Sequence, residues 1–136
     1  MCLASYFKGN DFIRQCRAEG ARVTLVTRKK MLQEEWAFEA LDRVVSVPDR
    51  AEVEDYIHAS AEAAHHARPD VIVALEEADV ITAARVREFL CLPGLSSSRA
   101  RFFRDKLAMR ARAAEASLRQ PEFVQALRSP RTGSSP

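Results

Sequence analysis

Short runs rich in β-branched residues, separated by segments with helical periodicity, constrain this fold more than any other feature. The runs are Val23–Thr27, Arg43–Val47 and Asp70–Leu75, and a further short apolar run opens the chain at Met1–Tyr6. Runs of this kind are typical of strands that are buried on both faces. Strands that alternate with helices predict a mostly parallel sheet with helices on both sides, so we expect an α/β fold.

The segments between these runs predict the topology. Apolar residues recur at helical spacing between Asp11 and Gly20, between Asp49 and Ala67, and between Asp79 and Leu92. Right-handed crossovers then give a small Rossmann-like, doubly wound parallel sheet with strand order 3-2-1-4. Ligands in such sheets bind beyond the carboxyl ends of the strands, where the winding reverses. The loops that we expect to face each other there are 8–10 and 76–79.

Composition is ordinary for one globular domain, with 136 residues, 47% of them hydrophobic and 29% charged. No apolar run reaches the roughly 18 residues of a transmembrane helix. No basic leader precedes the first apolar run, so we expect a cytoplasmic protein without a membrane partner. The three cysteines, Cys2, Cys16 and Cys91, lack the short spacings of a zinc site and are expected to be free thiols.

Charge is distributed unevenly along the chain. The net charge is −4 over residues 1–98 and +6 over residues 99–136, within a total of +2. The basic part is predicted to begin with one amphipathic helix from about Ser98 to Ala116, followed by a short strand near Pro121. The asymmetry indicates that this part faces an anion. Its only aromatic residues before Ala116, Phe102 and Phe103, lie at core-like positions, so we expect no nucleic-acid partner, although a basic-helix interaction protein stays an alternative.

Three charged residues are candidates for chemistry. Lys106 follows Asp105 in the basic helix, where its ammonium group either contacts a phosphate or lies on a solvated helix face. Glu76 and Asp79 follow the last predicted strand, where carboxylates either bind a metal ion or a substrate amine, or cap the next helix. A nucleotide fingerprint is absent, because only Gly9 follows the first strand and no Walker A sequence occurs.

Residues 96–110, Ser-Ser-Ser-Arg-Ala-Arg-Phe-Phe-Arg-Asp-Lys-Leu-Ala-Met-Arg, followed by Ala113-Ala-Glu-Ala116 and Pro121-Glu-Phe123, resemble the junction before the nucleotide domain of ATP-grasp enzymes. Biotin carboxylase and the carboxylate–amine ligases have a similar Asp-Lys pair there. The resemblance implies ATP and Mg²⁺ as cofactors, a small-molecule carboxylate activated as an acyl phosphate, and an amine that attacks it. It implies that Lys106 contacts the ATP phosphates and that Glu76 and Asp79 face substrate.

The resemblance also suggests a division of the chain. Residues 1–95 correspond to the pre-ATP-grasp domain, residues 96–127 to the start of the nucleotide domain, and residues 128–136 to a disordered tail. The family's second lysine, glycine-rich lid and magnesium-binding acids would follow residue 127. We therefore expect an ATP-grasp ligase portion that is inactive alone, with no catalytic residue and no metal ligand of its own. The alternative is a stand-alone Rossmann-like module that binds a small ligand or a protein.

Overall fold

The computed structural model describes residues 1–122, and these form one parallel sheet flanked by helices. The strands are β1 (Cys2–Ala4), β2 (Thr24–Arg28), β3 (Arg43–Val47) and β4 (Val73–Ala74). The α-helices are α1 (Asn10–Ala18), α2 (Val53–His66), α3 (Val80–Phe89), α4 (Ser97–Arg104) and α5 (Lys106–Glu115). Short 3₁₀ turns occupy Lys29–Gln33, Phe38–Ala40 and Glu77–Asp79.

The predicted sheet topology is confirmed. The four strands lie in the order β3-β2-β1-β4 and every neighbouring pair is parallel. Leu3 pairs with Val26 on one side and with Ala74 on the other, so β1 occupies the centre. The outer strand β4 is only two residues long, much shorter than the run that predicts it.

Side chains of the strands alternate between two cores. Cys2, Ala4 and Leu25 face the α1 side together with Ile13 and Trp36. On the opposite face, the core against α2 and α3 contains Leu3, Val26, Val47, Tyr56, Ile72, Ala83 and Val86. This alternation follows from the two-residue period of a strand and buries the sheet on both sides.

The single helix expected over residues 98–116 is in fact two, and that prediction was wrong. Asp105 adopts an extended backbone (φ −93°, ψ 105°) and ends α4. Its carboxylate then accepts hydrogen bonds from the backbone N–H groups of Leu107 and Ala108 at 3.0 and 3.1 Å. An aspartate at this position accepts hydrogen bonds from amides that the new helix leaves unpaired, so it both ends α4 and starts α5.

The first of these two helices packs on the sheet domain. Ala100 of α4 is fully buried, and the Glu88 carboxylate of α3 accepts hydrogen bonds from the Ser97 N–H at 2.7 Å and its hydroxyl at 3.1 Å. After α5 the chain turns back along the helix, because Gln120 donates to the Arg110 carbonyl oxygen. No strand occurs at 121–122, and the rest of the predicted strand and the predicted tail at 128–136 lie outside the described residues.

Candidate functional site

The carboxyl edge of the sheet brings together the two loops that the topology predicts to face each other. Lys8 follows β1 and Glu76 follows β4, and their side chains form an ion pair at 3.2 Å. Gly9 makes the close approach possible. It has φ of +96°, and a Cβ there would lie 3.1 Å from the Leu75 side chain. A glycine is therefore required both by the backbone angle and by the space.

Glu76 is held in its charged form. The Lys8 ammonium group, and then the Glu77 backbone N–H, lower the pKa of Glu76 below its ordinary value. Its side chain is about a quarter exposed, so one face of the carboxylate meets solvent. A permanently ionised, partly exposed carboxylate at this edge is suited to binding a cation or an amine, and it is already partnered by one cation.

Asp79 has a structural contact that the sequence does not reveal. The residue is 4% exposed, and its Oδ2 accepts the backbone N–H of Ser5 at 2.7 Å. It directly precedes α3 but does not cap it, because no side-chain capping hydrogen bond is present. Of the alternatives for Asp79, capping of α3 does not occur, and the carboxylate instead links the start of α3 to the end of β1.

A second ion pair connects this loop to the basic segment. The Arg104 guanidinium at the end of α4 lies 2.8 Å from the Glu77 carboxylate. Lys106 is two residues further along the chain, beyond the break at Asp105. The acidic loop after β4 and the Arg-Asp-Lys segment, which are about thirty residues apart in sequence, therefore lie on one side of the molecule.

Lys106 is the first residue of α5, and its side chain is exposed. It has no ion-pair or hydrogen-bond partner within residues 1–122, whereas Arg101, Arg104 and Arg112 are each paired with an acid. Asp105 points into the helix end instead. The amide of Ala108 and then Arg101 lower the pKa of Asp105, so it stays ionised as a cap. The lysine is left available for an external anion.

A buried polar cluster lies beneath the same edge. Ser60 Oγ is buried without a hydrogen-bond partner among the described residues, and the buried Tyr56 hydroxyl lies close to the Arg28 guanidinium. Burial and the charge of Asp79 raise the pKa of Tyr56, while the nearby Arg28 opposes the rise. At the same edge, the Arg28 guanidinium lies 5.6 Å and the Lys30 ammonium group 6.0 Å from the centre of the Tyr6 ring. This end of the sheet therefore combines an aromatic surface with concentrated positive charge.

The described residues fit only part of the cofactor pair that the resemblance implies. Lys106 is an exposed cation without a partner among the described residues, so its side chain is compatible with a phosphate contact. Residues 1–122 contain no group of three or more His, Cys, Asp or Glu side chains that could hold a metal ion. Magnesium bound to a nucleotide takes carboxylate ligands as well as phosphate oxygens. We therefore derive no reaction step through ATP or Mg²⁺ from this chain.

Comparison with solved structures finds the same fold in the L-amino acid ligase from Bacillus licheniformis. The two superpose with a TM-score of 0.73 at 22% identity. The match covers 95% of this chain and 35% of the ligase, so the chain spans about a third of that protein's length. At this identity the likeness shows a shared fold. No protein-family model and no curated protein matches the sequence.

Some of the site could be predicted from sequence and some could not. Glu76 lies at the predicted edge and Lys106 is exposed. The sequence does not predict the ion pairs of Lys8 with Glu76 and of Arg104 with Glu77, because each pair joins residues at least 27 positions apart. It does not predict the buried Tyr56 and Ser60 hydroxyls either, because their burial depends on how α2 packs on the sheet.

None of the described helices has the length and apolarity needed to cross a bilayer.

Proposed function

We propose that this chain is the N-terminal portion of an ATP-dependent ligase of the ATP-grasp type, which activates a carboxylate for attack by an amine. In this proposal residues 1–95 form the pre-ATP-grasp domain, and the segment from residue 96 leads into the nucleotide domain. The observation that carries it is the exposed, unpartnered Lys106 at the start of a capped helix, within a string that resembles the family's nucleotide-domain junction. The shared fold with an L-amino acid ligase supports the same reading.

The proposed role of Lys106 follows from its surroundings. Because Asp105 accepts two amide hydrogen bonds at the end of the helix, the lysine beside it does not need to neutralise that carboxylate. The ammonium group, exposed at the start of α5, then favours a bound phosphate as a point charge. Arg104 anchors the preceding turn to Glu77 and so sets where the lysine lies relative to the sheet edge.

Glu76 is proposed to face the substrate. Its lowered pKa keeps it ionised at neutral pH, and its exposed part is available to a substrate amine that competes with Lys8. Asp79 is a weaker candidate for the same role, because its carboxylate is buried and already accepts the Ser5 amide. In the complete enzyme the acyl phosphate would form on groups that the described residues do not supply, so the chain alone is expected to be inactive.

Calorimetric titration with ATP and Mg²⁺ tests this proposal. We expect weak binding, with a Kd above about 100 μM, because a single lysine contact supplies only a few kcal/mol. Replacing Lys106 by methionine should weaken binding about tenfold, whereas Lys29→Met, which removes an exposed lysine outside the Arg-Asp-Lys segment, should leave it unchanged. Submicromolar binding would contradict the incomplete site, and equal effects of the two variants would contradict the role of Lys106.

A further inference from the structure

The amino edge of the sheet, opposite the candidate nucleotide side, holds a separate cavity. Its volume is about 520 Å³, within the range of sites that bind small molecules. It lies between α1 and the outer strand β4. The cavity is enclosed by the C-terminal turn of α1, the start of β2, and the loop that leads from α2 into β4.

The cavity exists because one face of β4 is left uncovered within residues 1–122. Ile72 and Ala74 pack into the core beneath α2 and α3. On the other face Val71 is 62% exposed, and Phe12 of α1 beside it is 43% exposed. Val73 and Cys16 also belong to the apolar part of the lining. The cavity therefore has an apolar wall.

The polar part of the lining is predominantly positive. Arg22, Arg68 and the Met1 ammonium group line the cavity with one carboxylate, Asp70. Arg68 donates to the Leu90 carbonyl oxygen and the Met1 ammonium group donates to the Val71 carbonyl oxygen. Arg22 is left as a guanidinium without an ion pair or hydrogen bond to any described residue. A guanidinium presents parallel N–H groups that match a carboxylate.

We propose that this cavity binds a small monocarboxylic acid with an apolar body, its carboxylate on Arg22 and its hydrocarbon part against Phe12 and Val71. One free guanidinium above an apolar floor suits a single negative charge attached to a hydrocarbon group. A polyphosphate would need several cations and would leave the floor unfilled. The site is separate from the carboxyl edge and does not depend on the ligase proposal.

Cys16 gives a direct readout, because its thiol lines the cavity. In a Cys91→Ser background the exposed competing thiol is absent, and Cys2 is buried with its pKa raised to about 11. The rate at which a thiol reagent modifies Cys16 is measured with 4-phenylbutanoate, and with its neutral amide as the matched control. We expect the acid to slow the reaction about fivefold at saturation, and the amide to need about ten times the concentration.

Substitutions then assign the charge contact. Arg22→Ala should raise the half-maximal concentration of the acid about tenfold and leave that of the amide unchanged. Arg22→Lys should restore part of the loss. Arg50→Ala, an exposed arginine at the opposite edge, should have no effect. Circular dichroism checks that each variant is folded. If Arg22→Ala does not fold, Val71→Asp provides a second way to disrupt the cavity. Equal protection by acid and amide, no protection, or an equal effect of Arg50→Ala would overturn the proposal.

Discussion

Replacing Asp79 by alanine should destabilise the protein by about 2 kcal/mol. The carboxylate is 4% exposed and accepts the amide of Ser5, itself 2% exposed, at 2.7 Å. A hydrogen bond to a charged acceptor contributes about 1.5–3 kcal/mol, and a buried amide left without a partner costs a similar amount. The desolvation of the buried charge, which alanine relieves, offsets part of that loss.

Asp49 provides a matched control. Its carboxylate also accepts a backbone N–H, that of Lys30, at 2.7 Å, but the bond is exposed. Water replaces the lost partner there, so Asp49→Ala should cost several-fold less than Asp79→Ala. Asp79→Asn, which keeps an acceptor of the same size, should recover about half of the loss.

Urea unfolding followed by the fluorescence of Trp36, the single tryptophan, measures all three variants. The ring is 3% exposed and lies edge-on to Phe7 at 5.0 Å, so its emission should report the loss of the core beside α1. If Asp79→Ala were as stable as the wild type, or no less stable than Asp49→Ala, the hydrogen bond between Asp79 and the Ser5 amide would not stabilise the fold, which would refute the reasoning.

Three further outcomes are expected. Gly9→Ala should cost about 1–3 kcal/mol in the same unfolding assay, because φ is +96° and Leu75 is 3.1 Å from the added Cβ; Gly20→Ala, at φ +81° in open space, should cost less, and equal losses would show that the contact with Leu75 is unimportant. Cys91 should react with a thiol reagent in the native state, whereas Cys2, whose pKa burial raises to about 11, should react only after unfolding; fast reaction of Cys2 would contradict its burial. The pKa of Glu88 is lowered by the Ser97 amide and hydroxyl, so its contribution to docking α4 should be present above the ordinary carboxyl range and lost as pH falls through the lowered pKa. The protection of the Ser97 amide from hydrogen exchange, measured relative to its intrinsic rate at each pH, should fall at acidic pH in the wild type and be small at every pH in Glu88→Ala; pH-independent protection in the wild type would contradict this coupling.

Strand positions and their order follow directly from the sequence. The β-branched runs at 23–27 and 43–47 become β2 and β3 almost residue for residue, because β-branched side chains pack well on a pleated sheet. The run at 70–75 yields only a two-residue β4 at the sheet edge, since just two of its residues find partners on β1. An apolar sequence pattern indicates which residues are buried, whereas the length of a strand in the sheet depends on a neighbouring strand of matching length.

Local patterns also misread the region around Asp105. Apolar residues recur across 98–116 as they would in one helix, but the aspartate gains two amide hydrogen bonds by breaking it. A similar competition governs Asp79, which precedes a helix but bonds to Ser5 instead of capping it. Aspartate can satisfy either a helix end or a distant amide, and only the tertiary arrangement decides between them.

The most direct measurement is labelling with an acyl-phosphate derivative of ATP, which transfers its acyl group to lysines beside the nucleotide's phosphates. The chain contains four lysines, and Lys29, which is not part of the candidate site, acts as the internal reference for Lys106. Peptide mass spectrometry should show Lys106 labelled about fivefold or more above Lys29, a preference of about 1 kcal/mol, with excess ATP removing it. Labelling of Lys106 at the rate of Lys29, unaffected by ATP, would contradict the assignment of this segment to a nucleotide site.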